Sequence, residues 1–144
     1  MKIIASQMHF QALNELVRTS GDQKVVIDNC IGQRYIASGL SQREIVINGT
    51  PGNALGAYLN GASILVNGNA QDAAGDTMND GTIFINGSCG DAAGYAMRGG
   101  KIFVKGDAGY RAGIHMKEYQ EKTPVLVIGG QAGSFLGEYQ AGGV

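Results

Sequence analysis

His115, Glu118 and Glu121 offer an imidazole and two carboxylates at a spacing that approaches a divalent-metal site. They sit on a charged stretch with no third strong ligand type beside them, so a surface histidine accounts for His115. His9 stands alone where a helical pattern begins and is read the same way. Asp72 and Asp91 repeat a carboxylate in equivalent slots, which suggests calcium-binding repeats, but the nonapeptide pattern of such repeats is missing. Gly49-x-x-Gly52 follows a strand-like run, as phosphate-binding turns do, yet it lacks the G-x-x-x-x-G-K-[ST] signature and no helix follows. Cys30 and Cys89 belong to no C-x-x-C pair and read as two reduced cysteines. No Ser-His-Asp set with a nucleophile elbow occurs, and no pair of carboxylates has distinct surroundings. The sequence therefore predicts no catalytic, cofactor-binding or metal-ligating residue in this chain.

The elements that would have to position such groups are dominated by a repeat. Glycine recurs as G-x-x-G-x-x-x-G at Gly49/Gly52/Gly56, Gly87/Gly90/Gly94, Gly106/Gly109/Gly113 and Gly130/Gly133/Gly137. A further copy has Gly68 and Gly75, with Gln71 in the middle slot. The copies follow one another every 19 residues, except for a last interval of 24. Units that recur at a short fixed period cannot each bury an apolar face and must stack on their neighbours.

Before each lead glycine lies a β-branched or aromatic run: Ile45–Ile47, Ile64–Val66, Ile83–Ile85, Ile102–Val104 and Leu126–Ile128, with Val25–Ile27 as an earlier, degenerate copy. These read as strands entering the motif in one direction, hence a parallel sheet with one strand per repeat. Nineteen residues at roughly 3.3 Å each make a perimeter of about 63 Å, enough for a closed coil. A helix in each repeat is excluded by the glycines, each costing about 1 kcal/mol there. The predicted fold is all-β, a right-handed single-stranded parallel β-helix over residues 25–144. Residues 1–24 form a cap: a short strand at 2–5 and a helix over 9–19, with Ser6 as its N-cap and Phe10, Leu13, Leu16 and Val17 at helical spacing.

Stacked copies align their side chains into columns. Ile47, Val66, Ile85, Val104 and Ile128 make one core column, and Ile45, Ile64, Ile83, Ile102 and Leu126 a second. Leu59, Met78, Met97 and Met116 make a third. The motif glycines are read as corners that need positive φ or a close approach of neighbouring strands. Asn48, Asn67 and Asn86 are expected to stack as an amide ladder. Val26, Val46, Leu65, Phe84, Phe103 and Val127 alternate out of the core and form an outward apolar column. Monomeric proteins seldom leave such a patch bare, so Val46, Leu65, Phe84, Phe103 and Val127 are the candidate interface residues. The extra residues within 117–123 read as a loop bulging from one corner. Gly142–Val144 fall where another strand begins, which reads as a piece of a longer solenoid.

Composition narrows the function classes. A net charge of −1 and a pI near 6.1 give no footprint for nucleic acid or an anionic membrane. The N-terminal MKIIASQMHF is too short in apolar residues for a signal peptide, and no run approaches a membrane span. A cytoplasmic chain is expected.

The repeated motif, above all GSCGDAAGYAMRGGKIFV (Gly87–Val104) and GDAGYRAG (Gly106–Gly113), resembles the C-terminal β-helix domain of the large subunit of glutamate synthase. It is similar also to one of the subunits of formylmethanofuran dehydrogenase. The resemblance covers roughly residues 25–144 and departs from the family at Gln71 and in holding fewer rungs. It implies a structural module without catalytic residues, packed against glutaminase and flavin domains of an oxidoreductase. FMN and iron–sulfur clusters would then be carried only by those partners. Three alternatives stand beside it: a formylmethanofuran dehydrogenase component, a free-standing solenoid that self-associates through the outward column or the C-terminal edge, and a left-handed hexapeptide acyltransferase. The last is disfavoured because that fold repeats every six residues, 18 per turn.

Overall fold

Each apolar run ahead of a lead glycine is a strand, and the strands stack in sequence order. In a computed structural model describing residues 1–144, the elements are β1 (Lys2–Ile4), α1 (Phe10–Thr19), β2 (Lys24–Ile31), β3 (Glu44–Thr50), β4 (Asn60–Asn67), β5 (Asp80–Ile85), β6 (Lys101–Val104) and β7 (Val125–Ile128). All seven strands form one sheet ordered β1 to β7, and every pairing is parallel. The chain is a β-solenoid, with the predicted register in place: Ile45, Ile64, Ile83, Ile102 and Leu126 are successive partners, as are Ile47, Val66, Ile85, Val104 and Ile128. β2 joins the same register through Val25 and Ile27, so the degenerate first copy is a full rung.

The core runs along the axis. Leu59, Met78, Met97 and Met116 are buried as expected. A further buried column comprises Ile36, Leu55, Ala74, Ala93 and Ala112. Where this column shrinks from Leu55 to alanine, its neighbour lengthens from Leu59 to methionine, whose flexible thioether fills irregular space.

The turn that follows each strand has left-handed φ at every second residue. In one rung these are Ala54 at 61°, Gly56 at 63° and Tyr58 at 57°, and the next repeats them at Ala73, Gly75 and Thr77. The middle position of the three faces inward and is the last glycine of the motif in each copy from Gly56 onward, whereas in the β2 rung it is the buried Ala37, at 62°. Gly56, Gly75, Gly94, Gly113 and Gly137 all hold φ between 63° and 70°, as read for corners. A Cβ on Gly56 would also press on Ile64 and Ile83 of the core, so space as well as φ requires glycine there. The reason changes along the stack. At Gly94 the nearest atom is the Met97 sulfur at 3.3 Å, and the φ of 70° carries most of the requirement. At Gly137 the obstacle is the Gln140 side-chain oxygen of its own turn, at 2.8 Å, and not the core.

The outward positions accept Ala, Tyr, Thr or His at a conformational cost of about 1–2 kcal/mol each. Hydrogen bonds to the adjacent rung hold them, as from the Ala54 N–H to the Asp72 carbonyl (2.9 Å) and from Tyr58 to Asp76 (2.8 Å).

At the N-terminal end, α1 buries Leu13 and Val17 against the first rung. Its N-cap is His9, whose Nδ1 accepts from the Gln11 N–H, and not Ser6. Ser6 has a left-handed φ of 44° and lies in the bend between β1 and α1. At the other end of the chain, Tyr119 and Lys122 make a small antiparallel bridge within the extra loop, and the Leu126 N–H donates to the Val144 carbonyl (2.8 Å).

Candidate functional site

The outer face of the sheet collects side chains of β2 to β7 in register. Val26, Val46, Leu65, Phe84, Phe103 and Val127 are successive partners along it. The stripe is less open than alternation alone implies. Val26, Val46, Leu65 and Phe103 are half-buried, because strands stacked about 4.8 Å apart shield each other's side chains. Exposure concentrates at Phe84 (38 %) and Val127 (45 %). Phe84 and Phe103 lie with ring centroids 6.2 Å apart and tilted by 35°, a favourable offset pair.

Beside the stripe runs the amide ladder. Asn86 donates to the Asn67 side-chain carbonyl (2.9 Å), Asn67 to Asn48 (2.9 Å), and Asn48 to the Asp28 carboxylate (2.7 Å). The aspartate that ends the ladder breaks the asparagine pattern, so the sequence carries no signal for it. The hydrogen bond from Asn48, and then that from Lys2, holds the Asp28 carboxyl below its ordinary range; the Lys2 ammonium is 3.1 Å away. The ladder thus fastens β1 to the stack.

Two more ladders explain the motif's first and second glycines. Asn69, Ser88 and Asp107 each follow a lead glycine, and their side-chain oxygens accept the N–H of Ser88, Asp107 and Gln131 in the next rung, at 2.8–2.9 Å. They pass over the lead glycines Gly87, Gly106 and Gly130, none of which has a left-handed φ; Gly49 and Gly68 do. Asn53, Asp72 and Asp91 do the same for the N–H of Asp72, Asp91 and Tyr110, at 2.7–3.0 Å. A Cβ on Gly90 would overlap the Asp72 Oδ1, and one on Gly109 the Asp91 Oδ1.

At the second slot the glycines meet the second of the two demands read for them: Gly52, Gly90, Gly109 and Gly133 all lack left-handed φ and are places of close approach. Gly52 and Gly133 lie at the two ends of this ladder, where no side-chain oxygen crosses. Gly52 is crowded by the Gly32 carbonyl, and Gly133 by the Gly109 backbone at 2.9 Å and the Tyr110 ring at 3.1 Å. Tyr110 stands in the slot that holds Asp91 one rung earlier, and so the ladder stops there. Asp72 and Asp91, the stacked acids of the sequence, are ladder acceptors.

The remaining polar candidates stay apart. No three His, Cys, Asp or Glu side chains converge in a way that could hold a metal ion. His115 stacks on Tyr139 at 5.0 Å and meets Tyr95 edge-on at 5.8 Å. Glu118 accepts from the Gly143 N–H. His9 caps α1 and stacks on Phe10. Cys30 and Cys89 are both buried free thiols. Burial pushes each up to about 11, aided at Cys89 by the Asp72 and Asp91 charges.

One buried polar side chain escapes sequence reading. Gln33 donates from Nε2 to the Ser6 and Met8 carbonyls (3.0 and 3.1 Å) and accepts the Ile31 N–H at Oε1 (2.8 Å). It occupies the slot that holds Gly52 one rung later, and so the only available signal is a missing glycine. Gln33 ties the residues linking β1 and α1 to the first rung.

No helix is long and apolar enough to cross a membrane. Comparison with known proteins gives a match to the family model described as the GXGXG motif over residues 1–144. An uncharacterized protein of Methanocaldococcus jannaschii is 52% identical over 149 aligned positions, covering 99% of this chain. The chain spans 57% of that relative's length. No solved structure matches the chain.

Proposed function

The chain belongs to the GXGXG motif family, the domain type found in glutamate synthase-like proteins, and from that premise we propose that it is the β-helical scaffold of a glutamate synthase-like oxidoreductase complex. Its place would be in glutamate biosynthesis and ammonia assimilation. The observation that carries this reading is the in-register apolar stripe from Val26 to Val127 on the outside of the sheet. The polar side chains of the repeat supply the ladders that join rung to rung, whereas the stripe satisfies nothing within the chain.

In this role the chain contributes rigidity and position. Backbone bonds between rungs and three side-chain ladders resist both bending and shear of the stack, so domains docked along it keep a fixed separation. Flavin and iron–sulfur chemistry belongs to partner domains, and a glutaminase domain supplies the ammonia. Light scattering on the full chain mixed with the FMN- and iron–sulfur-bearing subunit of the same organism tests this. One discrete hetero-complex is expected. A chain that stays monomeric, or forms only a homodimer through the stripe, overturns it in favour of a free solenoid.

A further inference from the structure

The outer face is not uniform in charge along its length. At the β1–β3 end its lysines are neutralised within the chain: Lys2 pairs with Asp28 at 3.1 Å and Lys24 with Glu44 at 3.8 Å. At the β5–β7 end, Lys101 and Lys105 are exposed and enter none of the chain's salt bridges. Lys101 continues the column of Lys24, Glu44, Ser63 and Thr82 on one side of the stripe. Lys105 follows Phe103 by two residues on the other side, in the bend that succeeds β6, and its N–H still donates to the Ile85 carbonyl (2.9 Å). The two ammonium-bearing residues therefore bracket Phe103, with Cα atoms about 13 Å apart at strand spacing. The carboxylate nearest in sequence, Asp107, is held in a ladder, where its Oδ1 accepts the Gln131 N–H (2.8 Å).

The same end holds the most exposed apolar members, Phe84 and Val127. Apolar exposure and unpaired positive charge thus coincide on β5–β7, whereas at the β1–β3 end the exposed apolar side chains Ile4 and Ile31 have no unpaired lysine of the outer face beside them. We infer that β5–β7 form the docking patch, and that its occupant is a protein surface with an apolar strip flanked on both sides by aspartate or glutamate, the two acidic flanks about 13 Å apart. A second copy fits poorly, because the acids Asp28 and Glu44 on the same face are already paired. This rests on the scaffold reading above and names the chemistry of the partner it requires.

Calorimetric titration of the full chain with the FMN-bearing subunit, repeated at several salt concentrations, separates the two claims. Lys101→Glu with Lys105→Glu should weaken binding at low salt by about tenfold or more, mainly through slower association, and should flatten the salt dependence. Arg18→Glu with Lys117→Glu makes the same change in net charge away from the sheet and should bind as the parent does. Lys101, Lys105, Arg18 and Lys117 are all exposed, so unchanged circular dichroism and melting are expected of both charge variants. Binding that ignores the lysine pair but is lost in Phe84→Ala with Phe103→Ala overturns the acidic-partner inference and leaves the scaffold reading intact. Equal weakening in both charge variants also overturns it, since net charge and not the patch would then matter. Absence of binding by the parent chain overturns the scaffold reading, and this inference with it.

Discussion

At Gly90 and Gly109, glycine in the second slot of the motif lets a carboxylate oxygen pass. The Asp72 carboxylate reaches the Asp91 N–H across Gly90, and the Asp91 carboxylate reaches the Tyr110 N–H across Gly109. Gly90→Ala should destabilise by about 1–3 kcal/mol through overpacking. Asp72→Ala removes the atom it strikes, so chemical denaturation should show the alanine at Gly90 costing about 1 kcal/mol less in the Asp72→Ala background. Strict additivity would mean that the crowding lies elsewhere. The two thiols give a second residue-level outcome. Both are protonated in the folded chain at pH values where the unfolded chain's thiols, near 9.0, are ionised. Their contribution to stability is complete below pH 9 and is lost as pH rises toward about 11. Ultraviolet thiolate absorbance should titrate near 11 in the folded chain and near 9 after denaturation. Ionisation of either thiol near 9 in the folded chain would show it to be solvated.

Strands and their register are legible because one signal repeats: a β-branched or aromatic triplet, then glycine, at a constant interval. Every core column read from that interval is in place, from Ile45 to Leu126 and from Leu59 to Met116. The turns are less legible. One glycine pattern covers two physical demands, left-handed φ at Gly94 and Gly137 but close approach at Gly90 and Gly133, and residue type alone does not separate them. Left-handed φ at Ala54, Tyr58, Arg111 and His115 is imposed by bonds to the next rung, which override the preference of those residues and leave no local trace. The helix cap lies three residues beyond the expected one because Ser6 is the better intrinsic capper, while His9 is the one at the right backbone position. Gln33 is invisible in the sequence because one residue does not make a pattern. Gln33→Ala should leave the Ser6 and Met8 carbonyls without their donor and cost about 1–3 kcal/mol. Hydrogen exchange should then show residues 1–19 opening before the rest of the stack. Unchanged protection there would mean that Leu13 and Val17 hold the cap unaided.

A solenoid of this kind offers a partner a long, flat and rigid surface, and the sheet face is where this chain differs from one end to the other. The apolar stripe is readable from alternation, but its grading is not. Shielding of Val46 and Leu65 by their neighbours, and neutralisation of Lys2 and Lys24, are consequences of stacking that appear only once the rungs are assembled. The aromatic residues elsewhere supply an internal control: Tyr58 and Tyr139 are well exposed on the turns, away from the sheet. Hydroxyl-radical footprinting of the full chain, alone and in complex with the FMN-bearing subunit, therefore tests the central claim most directly. Oxidation of Phe84 and Phe103 should fall several-fold on complex formation while that of Tyr58 and Tyr139 stays the same. Protection of the two tyrosines with unchanged oxidation of the two phenylalanines would place the partner on the turns and contradict the assignment of the sheet face.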